Sequence, residues 1–521
     1  MTAASNNLLN DPSISVCSPG GLGSASLPDV LEQLGSDIEI EFPALRPYQS
    51  HPWHAFLVQL GALVAARTGD PTLERSADAW RAGLLDLAGD AGEDAWCLLV
   101  EDPARPAFMQ VAVPEGEWGS YKPAAKTPDD LDMLVTAKNH DVKRGLMAEA
   151  RTEHWVYALV TLQTFQGFSG RGNYGIGRMN SGFGSRPGFA AAPSLSWGER
   201  FQRDVRVWLE QREQLLDSYR YDDQGQTLLW CLDWDGEAPR LPLEACDPFF
   251  IEVCRRVRLR PEGEAIVAYG APSKSAFLPA KERFGDTGDI WTPVRVDDNG
   301  VASALTTSPS GLSYRKLQEV IFGNEWQQQP AMRIRTEDGD QPVLVAQVMA
   351  RGQGKTEGYH ERRIPLKGEA RGWLMQPKTR ALLGQLAKLR VERVGDVQRR
   401  ILKPALCVLL QGAPDHLDLR DDRTQRWLGR LDQQIDQIFF EDLWADFGLS
   451  HEVSAEPNEK WEQRLFDLAR AQLEDAIREA AVPEARSYKA VAKAEGTFRR
   501  AARNQLRNLF PPKFDDEGGS P

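Results

Sequence analysis

Val343-Leu-Val-Ala-Gln-Val348 and the stretch behind it, Met349-Ala-Arg-Gly-Gln-Gly-Lys-Thr-Glu-Gly-Tyr-His-Glu-Arg-Arg-Ile-Pro365, decide how this chain is read. The first run is short and β-branched, which predicts a strand; Gly352, Gln353 and Gly354 then break it. The strand delivers a loop carrying Arg351, Lys355, Arg362 and Arg363 against Glu357 and Glu361. Its glycines let backbone N–H groups approach a ligand closely, so an anion is the natural partner. Gly354-Lys355-Thr356 after a strand looks like the end of a nucleotide-binding P-loop, but the full pattern needs a further glycine where Met349 stands. A plain surface hairpin is the other local reading.

Working outward, 521 residues with 41% hydrophobic and 26% charged content describe an ordinary globular chain. At about 150 residues per domain, roughly two to four units are expected. No apolar run approaches the ~20 residues of a membrane span. The opening Met1-Thr-Ala-Ala-Ser-Asn-Asn7 has neither the basic nor the apolar region of a signal peptide, so a cytoplasmic location without membrane contact is expected. Six cysteines, at 17, 97, 231, 246, 254 and 407, form no C-x-x-C pair; buried thiols are expected rather than a zinc site or disulfides.

A net charge of −13 argues against indiscriminate nucleic-acid binding. Locally the balance reverses: Arg371–Lys403 carries nine Lys or Arg against Glu392 and Asp396, and Arg486–Arg507 carries seven against Glu495. Each run is either a solvated helix face or a stripe that meets nucleic acid.

Along the chain, Asn7–Val16 reads as a strand, 18–26 as a Gly/Ser-rich turn and Leu27–Leu34 as a short helix. His51–Ala66 reads as a helix with one core face through Trp53, Phe56, Leu57, Leu60, Leu63 and Val64, and His51 and His54 as polar residues at its start rather than metal ligands. Pro106–Pro114 reads as a strand, Met133–Gly145 as a loop and Trp155–Phe165 as a helix. Then comes a glycine-dense segment, Gly167–Pro187, whose backbone, with Arg171, Arg178 and Arg186, can sit against a sugar-phosphate edge. A helix precedes it, which speaks against a dinucleotide fingerprint. Residues 191 to 320 are less regular, with Trp230, Trp234, Trp291, Phe249 and Phe250 as core. From about 367 the grammar turns to long helices punctuated by Pro404, Pro457 and Pro483, a bundle. The fold class expected is α+β: a large mixed domain over 1–366, a four-helix bundle over 367–510 and a disordered tail over 511–521.

The run Gly352-Gln-Gly-Lys-Thr-Glu-Gly-Tyr-His-Glu-Arg362 resembles a loop of the CasA family, the large subunit of the type I-E CRISPR surveillance complex Cascade, an antiviral defence assembly. Asn7-Leu-Leu9 also resembles the family's opening, although Ser13 and Ser15 replace its tryptophan and second proline; Pro106-Ala-Phe-Met-Gln110 resembles a second family element. The resemblance follows the same order over most of the chain.

It implies that Gln353, flanked by Gly352, Gly354 and Lys355, is a wedge that opens DNA beside the protospacer-adjacent motif. It implies that Gly170, Arg171, Gly172 and Asn173 read the motif duplex from the minor groove, where only small residues fit. Lys281 would be a lysine finger on the same duplex, with Lys274 and Arg283 as alternatives. Lys138, Asn139 and His140 would contact the guide-RNA end and neighbouring subunits, and Arg499, Arg500 and Arg503 would form a basic bundle surface.

The implied partners are the guide CRISPR RNA, a double-stranded DNA target, the backbone, small and RNA-end-binding Cascade subunits, and a recruited helicase-nuclease. No catalytic residue, metal or cofactor is implied. The competing readings are a P-loop-like nucleotide-dependent nucleic-acid enzyme, a nuclease using His360 with Glu361, and a purely structural subunit.

Overall fold

The computed structural model describes residues 6–132, 147, 149–165, 172–175, 177–180, 186–308, 310–323, 325–352, 355–450, 459–480 and 484–510; for 351–352, 355–357, 449–450 and 484–486 it describes the backbone. The fold is α+β. It divides into one unit of Met1–Leu312 with Glu325–Leu366 and a second of Ser313–Asn324 with Lys367–Pro521.

In the first unit the helix Ser50–Thr68 is the axis of the core. Every residue from His51 to Ala65 is buried, so the expected single core face is in fact a whole circumference. His51 and His54 are therefore interior groups, not polar residues at an exposed helix start. Packed against this axis are the helices Thr152–Phe165 and Trp197–Tyr219. The second of these falls in the stretch read as irregular, yet Trp197, Phe201, Val205, Trp208 and Leu215 bury one face of it. Trp230, Trp234, Trp291, Phe249 and Phe250 lie in the same core.

Small sheets surround the helices. Ile14–Ser18 pairs with Gly21–Ala25, so the turn expected over 18–26 holds a second strand. Arg256–Glu262 and Ala265–Ala271 form a hairpin, with Lys122–Ala125 on its far edge. Pro106–Pro114 is not a strand. Its apolar residues line a buried turn in which Met109 takes φ +56° and Ala107 bridges Gln110. The Gln110 amide donates to the Leu98 and Phe108 carbonyls at 3.0 and 3.1 Å and accepts from the Leu259 N–H, replacing a strand ladder.

The second unit is helical among the described residues. Pro377–Asp396 runs into a π-helical turn, Val397–Leu402, and on through Lys403–Leu410, so Pro404 does not end the helix. The wider turn immediately before it absorbs the missing N–H. Gln425–Ser450, Glu459–Glu479 and Glu484–Gln505 complete the long helices, and Tyr314–Phe322, from far upstream, packs with them: Gly384 lies against Phe322. Part of the first basic run is core. Arg390 pairs with Asp446 and stacks on Trp461 at 4.5 Å, and Arg393 pairs with Glu462 at 3.2 Å. Burial pushes the Arg390 guanidinium down to about 10.

Candidate nucleic-acid interface

The run read as a strand with a loop is a β-hairpin. Val343–Gly352 pairs antiparallel with Lys355–Pro365, from Val343 opposite Pro365 to Gly352 opposite Lys355. Arg362 and Arg363 therefore stand on a strand, not in a loop. Register shifts between Ala350 and Arg351, leaving Glu357 as the extra residue of a bulge that bends the hairpin near its end. Gln353 and Gly354, the two residues joining the strands, lie outside the described residues; for Gly352 and Lys355 the backbone pairing is described. Lys355 and Thr356 open a strand, where a P-loop requires a helix N-terminus to face the phosphates.

The hairpin is fixed at its base. The Gln347 amide donates to Ser50 Oγ and to the Tyr359 hydroxyl, both at 3.0 Å, and Tyr359 donates to Glu361 at 2.8 Å. Glu361 also pairs with Arg363. His360 packs on Gly311, where φ is +70° and a Cβ would fall 2.2 Å from the ring. Its partners set it apart from Glu361, so the pair forms no nuclease-like couple.

Gly188–Ala192 is the third strand, pairing with Val343–Gln347. It continues directly from the glycine segment through Arg186 and Pro187. Arg186 is not a surface arginine: it is fully buried, donates to Asp289 and to Gln59 Oε1, and lies over the rings of Phe165 and Trp291. Thr292 donates to the Pro187 carbonyl and the Phe189 N–H to the Trp291 carbonyl, both at 3.0 Å. Arg186 holds the Asp289 carboxyl below its ordinary range against the opposing effect of burial. Next to it, His54 Nε2 and Trp291 Nε1 donate to Asp204 at 2.9 and 2.7 Å, and with Arg203 they outweigh burial and hold that carboxyl at about 2.

Gly170 and Arg171 lie outside the described residues, as do Lys138, Asn139 and His140. Gly172 and Asn173 are described. Gly172 has φ +87°, and its carbonyl accepts from the Ser273 N–H at 2.8 Å. Gly175 presses on the Cys254 carbonyl, 2.2 Å from where a Cβ would be. Arg178 is buried like Arg186: it donates to the Pro248 and Phe250 carbonyls, stacks on Phe250 at 3.9 Å and faces Glu252 at 3.5 Å. Of the three arginines read as phosphate contacts, two are thus internal anchors.

The structure separates the lysine candidates. Lys274 follows Ser273, so it stands beside Gly172 and Asn173, exposed and paired with Glu237 at 2.6 Å. Lys281 opens the short turn Lys281–Arg283, exposed and without an ion pair among the described residues. That turn meets the other end of the glycine segment, where Gly285 touches Asn180 and the Asn180 amide donates to Ala304 at 2.7 Å. Arg283 is held by Glu244 at 3.1 Å. Sequence distance hid the proximity of Lys274 to Gly172.

In the second unit, Glu484–Gln505 buries Ala490, Ala494, Phe498 and Ala502 at intervals of four. Opposite Phe498 on the helical wheel stand Lys489, Lys493, Arg500 and Arg503, all exposed, with Arg499 flanking them and paired with Glu495 at 3.4 Å. Among the described residues no helix is long and apolar enough to cross a membrane, and no group of His, Cys, Asp or Glu is arranged to hold a metal.

No family model matches the chain, and no curated relative matches it by sequence. Solved structures match it through the fold. CasA of Thermus thermophilus superposes with a TM-score of 0.64 at 16% identity, over 96% of this chain and 100% of that one. Cse1 of Acidimicrobium ferrooxidans gives 0.59 at 15% identity over 98% and 100%, and Cse1 of Thermobifida fusca 0.61 at 14% over 96% and 98%. Over nearly its whole length, this chain has the fold of the CasA (Cse1) proteins.

Proposed function

We propose that the chain is the non-catalytic large subunit of a type I-E CRISPR guide-RNA surveillance complex, which recognises the protospacer-adjacent motif in duplex DNA and begins strand separation. One observation carries the reading: the glycine segment continues into Gly188–Ala192, and that strand pairs with the hairpin whose end holds Gln353. A glycine segment that runs on into the sheet carrying the wedge hairpin lets the two act on one duplex together. Sequence reading is left to guide-RNA pairing. Gly170 to Asn173 enter the minor groove, and Lys274, next to the Ser273 that binds Gly172, supplies the duplex-facing cation expected of Lys281, which serves the far end of the segment. Gln353, between Gly352 and Gly354, enters beside the motif with Lys355 on the adjacent backbone. Unstacking there costs about a few kcal/mol, offset by backbone contacts and growth of the heteroduplex.

Lys138, Asn139 and His140 face the guide-RNA end and neighbouring backbone, small and RNA-end-binding subunits. Arg499, Arg500 and Arg503 carry DNA along the bundle, and the subunit offers a docking face to a helicase-nuclease. The enzymatic alternative finds little support, since Lys355 and Thr356 open a strand and not a helix; ATP turnover by the chain would revive it. The test is binding of the reconstituted guide-RNA complex to matched duplexes with and without the motif. Lys274→Ala should cut discrimination between them by about tenfold, as loss of one groove contact does, and leave binding to complementary single strand intact. Undiminished discrimination would refute the assignment.

A further inference from the structure

The hairpin Arg256–Glu262 with Ala265–Ala271 carries a feature that the reading above does not use. One face, through Val257, Leu259 and Ala268, belongs to the main core. The other carries Arg256, Arg258 and Arg260 at alternate positions, roughly 6.8 Å apart along the strand. Three rings cover it: Trp118, Tyr121 and Tyr269, with Trp118 edge-on to both tyrosines at 5.8 and 5.5 Å. Arg256 lies over Tyr121 at 5.2 Å, and Arg260 over Trp118 and Tyr269 at 5.4 and 5.9 Å.

Four other buried arginines have carboxylate partners: Arg178 with Glu252, Arg186 with Asp289, Arg203 with Asp338, Arg390 with Asp446. Arg258 is the contrast. It is 1% exposed, both terminal nitrogens lack a hydrogen-bond partner, and neither it nor Arg256 nor Arg260 makes an ion pair among the described residues. Burial pushes its guanidinium down to about 10, and Asp102 and Asp94 oppose this only from beyond ion-pair contact. A buried charge without a counter-charge is unfavourable, so an anion held at the surface over this face is favoured by the charge beneath it. Guanidinium forks match phosphoryl oxygens bidentately, and the half-exposed rings of Trp118 and Tyr269 offer faces on which a base can stack.

We propose that the exposed Arg260, over the buried charges of Arg258 and Arg256, forms a binding site for a phosphoryl group, supplied either as free phosphate or by a nucleotide strand whose base stacks on Trp118 or Tyr269. The site belongs to this chain alone and does not depend on the DNA-opening reading.

The test uses the full chain without partners. Thermal unfolding is followed in chloride and in inorganic phosphate at equal ionic strength, for native protein, Arg258→Met and Arg260→Gln. Phosphate should raise the native midpoint and leave that of Arg258→Met unmoved, while Arg258→Met in chloride is at least as stable as native, because an unpaired buried charge has gone. Arg260→Gln, an exposed position, folds normally and should weaken phosphate binding by roughly tenfold. In a second arm, a 5′-phosphorylated trinucleotide is titrated against its dephosphorylated form with Trp118→Ala as control. Tighter binding than inorganic phosphate, lost in Trp118→Ala, identifies a strand; equal binding identifies the phosphoryl group alone. Absence of phosphate stabilisation in native protein, or an equal effect in Arg258→Met, overturns the site.

Discussion

Gly188 lies flat against the imidazole of His51: a Cβ built on it would fall 2.1 Å from Nε2. This close approach joins the first residue of the sheet's edge strand to the central helix, beside Arg186 and the base of the hairpin. Gly188→Ala should destabilise the protein by roughly 1–3 kcal/mol through overpacking. His51→Ala should recover much of that loss in the double variant. Chemical denaturation of the four proteins gives the coupling; additive effects would show that the two residues do not share the space.

Arg186 and Asp289 are both buried, and each is the other's counter-charge. Removing one partner strands a charge, so Arg186→Met should cost about 3–5 kcal/mol, and Arg186→Met with Asp289→Leu distinctly less. In the guide-RNA complex the single variant should also weaken motif discrimination, because Arg186 fixes the junction between glycine segment and sheet. Denaturation curves with motif-dependent binding check both effects.

His51 and His54 are wholly buried, and their pKa values lie below the ordinary 6.5, first through burial and then through Arg186 for His51 and Arg200 for His54. Above pH 6.5 neither the folded nor the unfolded chain binds these protons. Below it only the unfolded chain does, so stability falls as pH drops, at up to about 1.4 kcal/mol per unit for each histidine. Unfolding free energies between about pH 7.5 and 5.5 should show this slope, and His51→Gln with His54→Gln should flatten it whatever its baseline.

Arg500 and Arg503 project from the bundle opposite Phe498. Replacing both with Gln should change stability by less than about 0.5 kcal/mol. It should reduce the salt dependence of DNA binding by the complex by about one slope unit per residue, the mark of lost phosphate contacts. An unchanged slope would make this a solvated helix face.

What could be read from sequence followed local pattern. Val343–Val348 announced its strand through β-branched residues, and the bundle helices through apolar spacing. Its partner strand did not, because Gly358 and the charges of 361–363 are loop-like, and a strand whose outer face is polar loses its alternation signal. Trp197–Tyr219 carried apolar residues four apart but was masked by its charge. Arg178 and Arg186 looked like surface cations because Glu252 and Asp289 lie far along the chain, and no local window contains both partners. Lys274 ranked only as an alternative to Lys281 for the same reason: only the fold brings Ser273 to Gly172. The run Gly352–Arg362 was recognisable as a motif, and the hairpin that carries it was not.

The central claim is that Gln353 separates the strands. Its most direct test is R-loop formation by the reconstituted guide-RNA complex, native against Gln353→Ala, on a linear duplex bearing the motif and on the same duplex with a pre-melted bubble beside it. The account predicts that Gln353→Ala loses opening on the intact duplex and regains it on the bubble. Equal opening of the intact duplex by both proteins would contradict it.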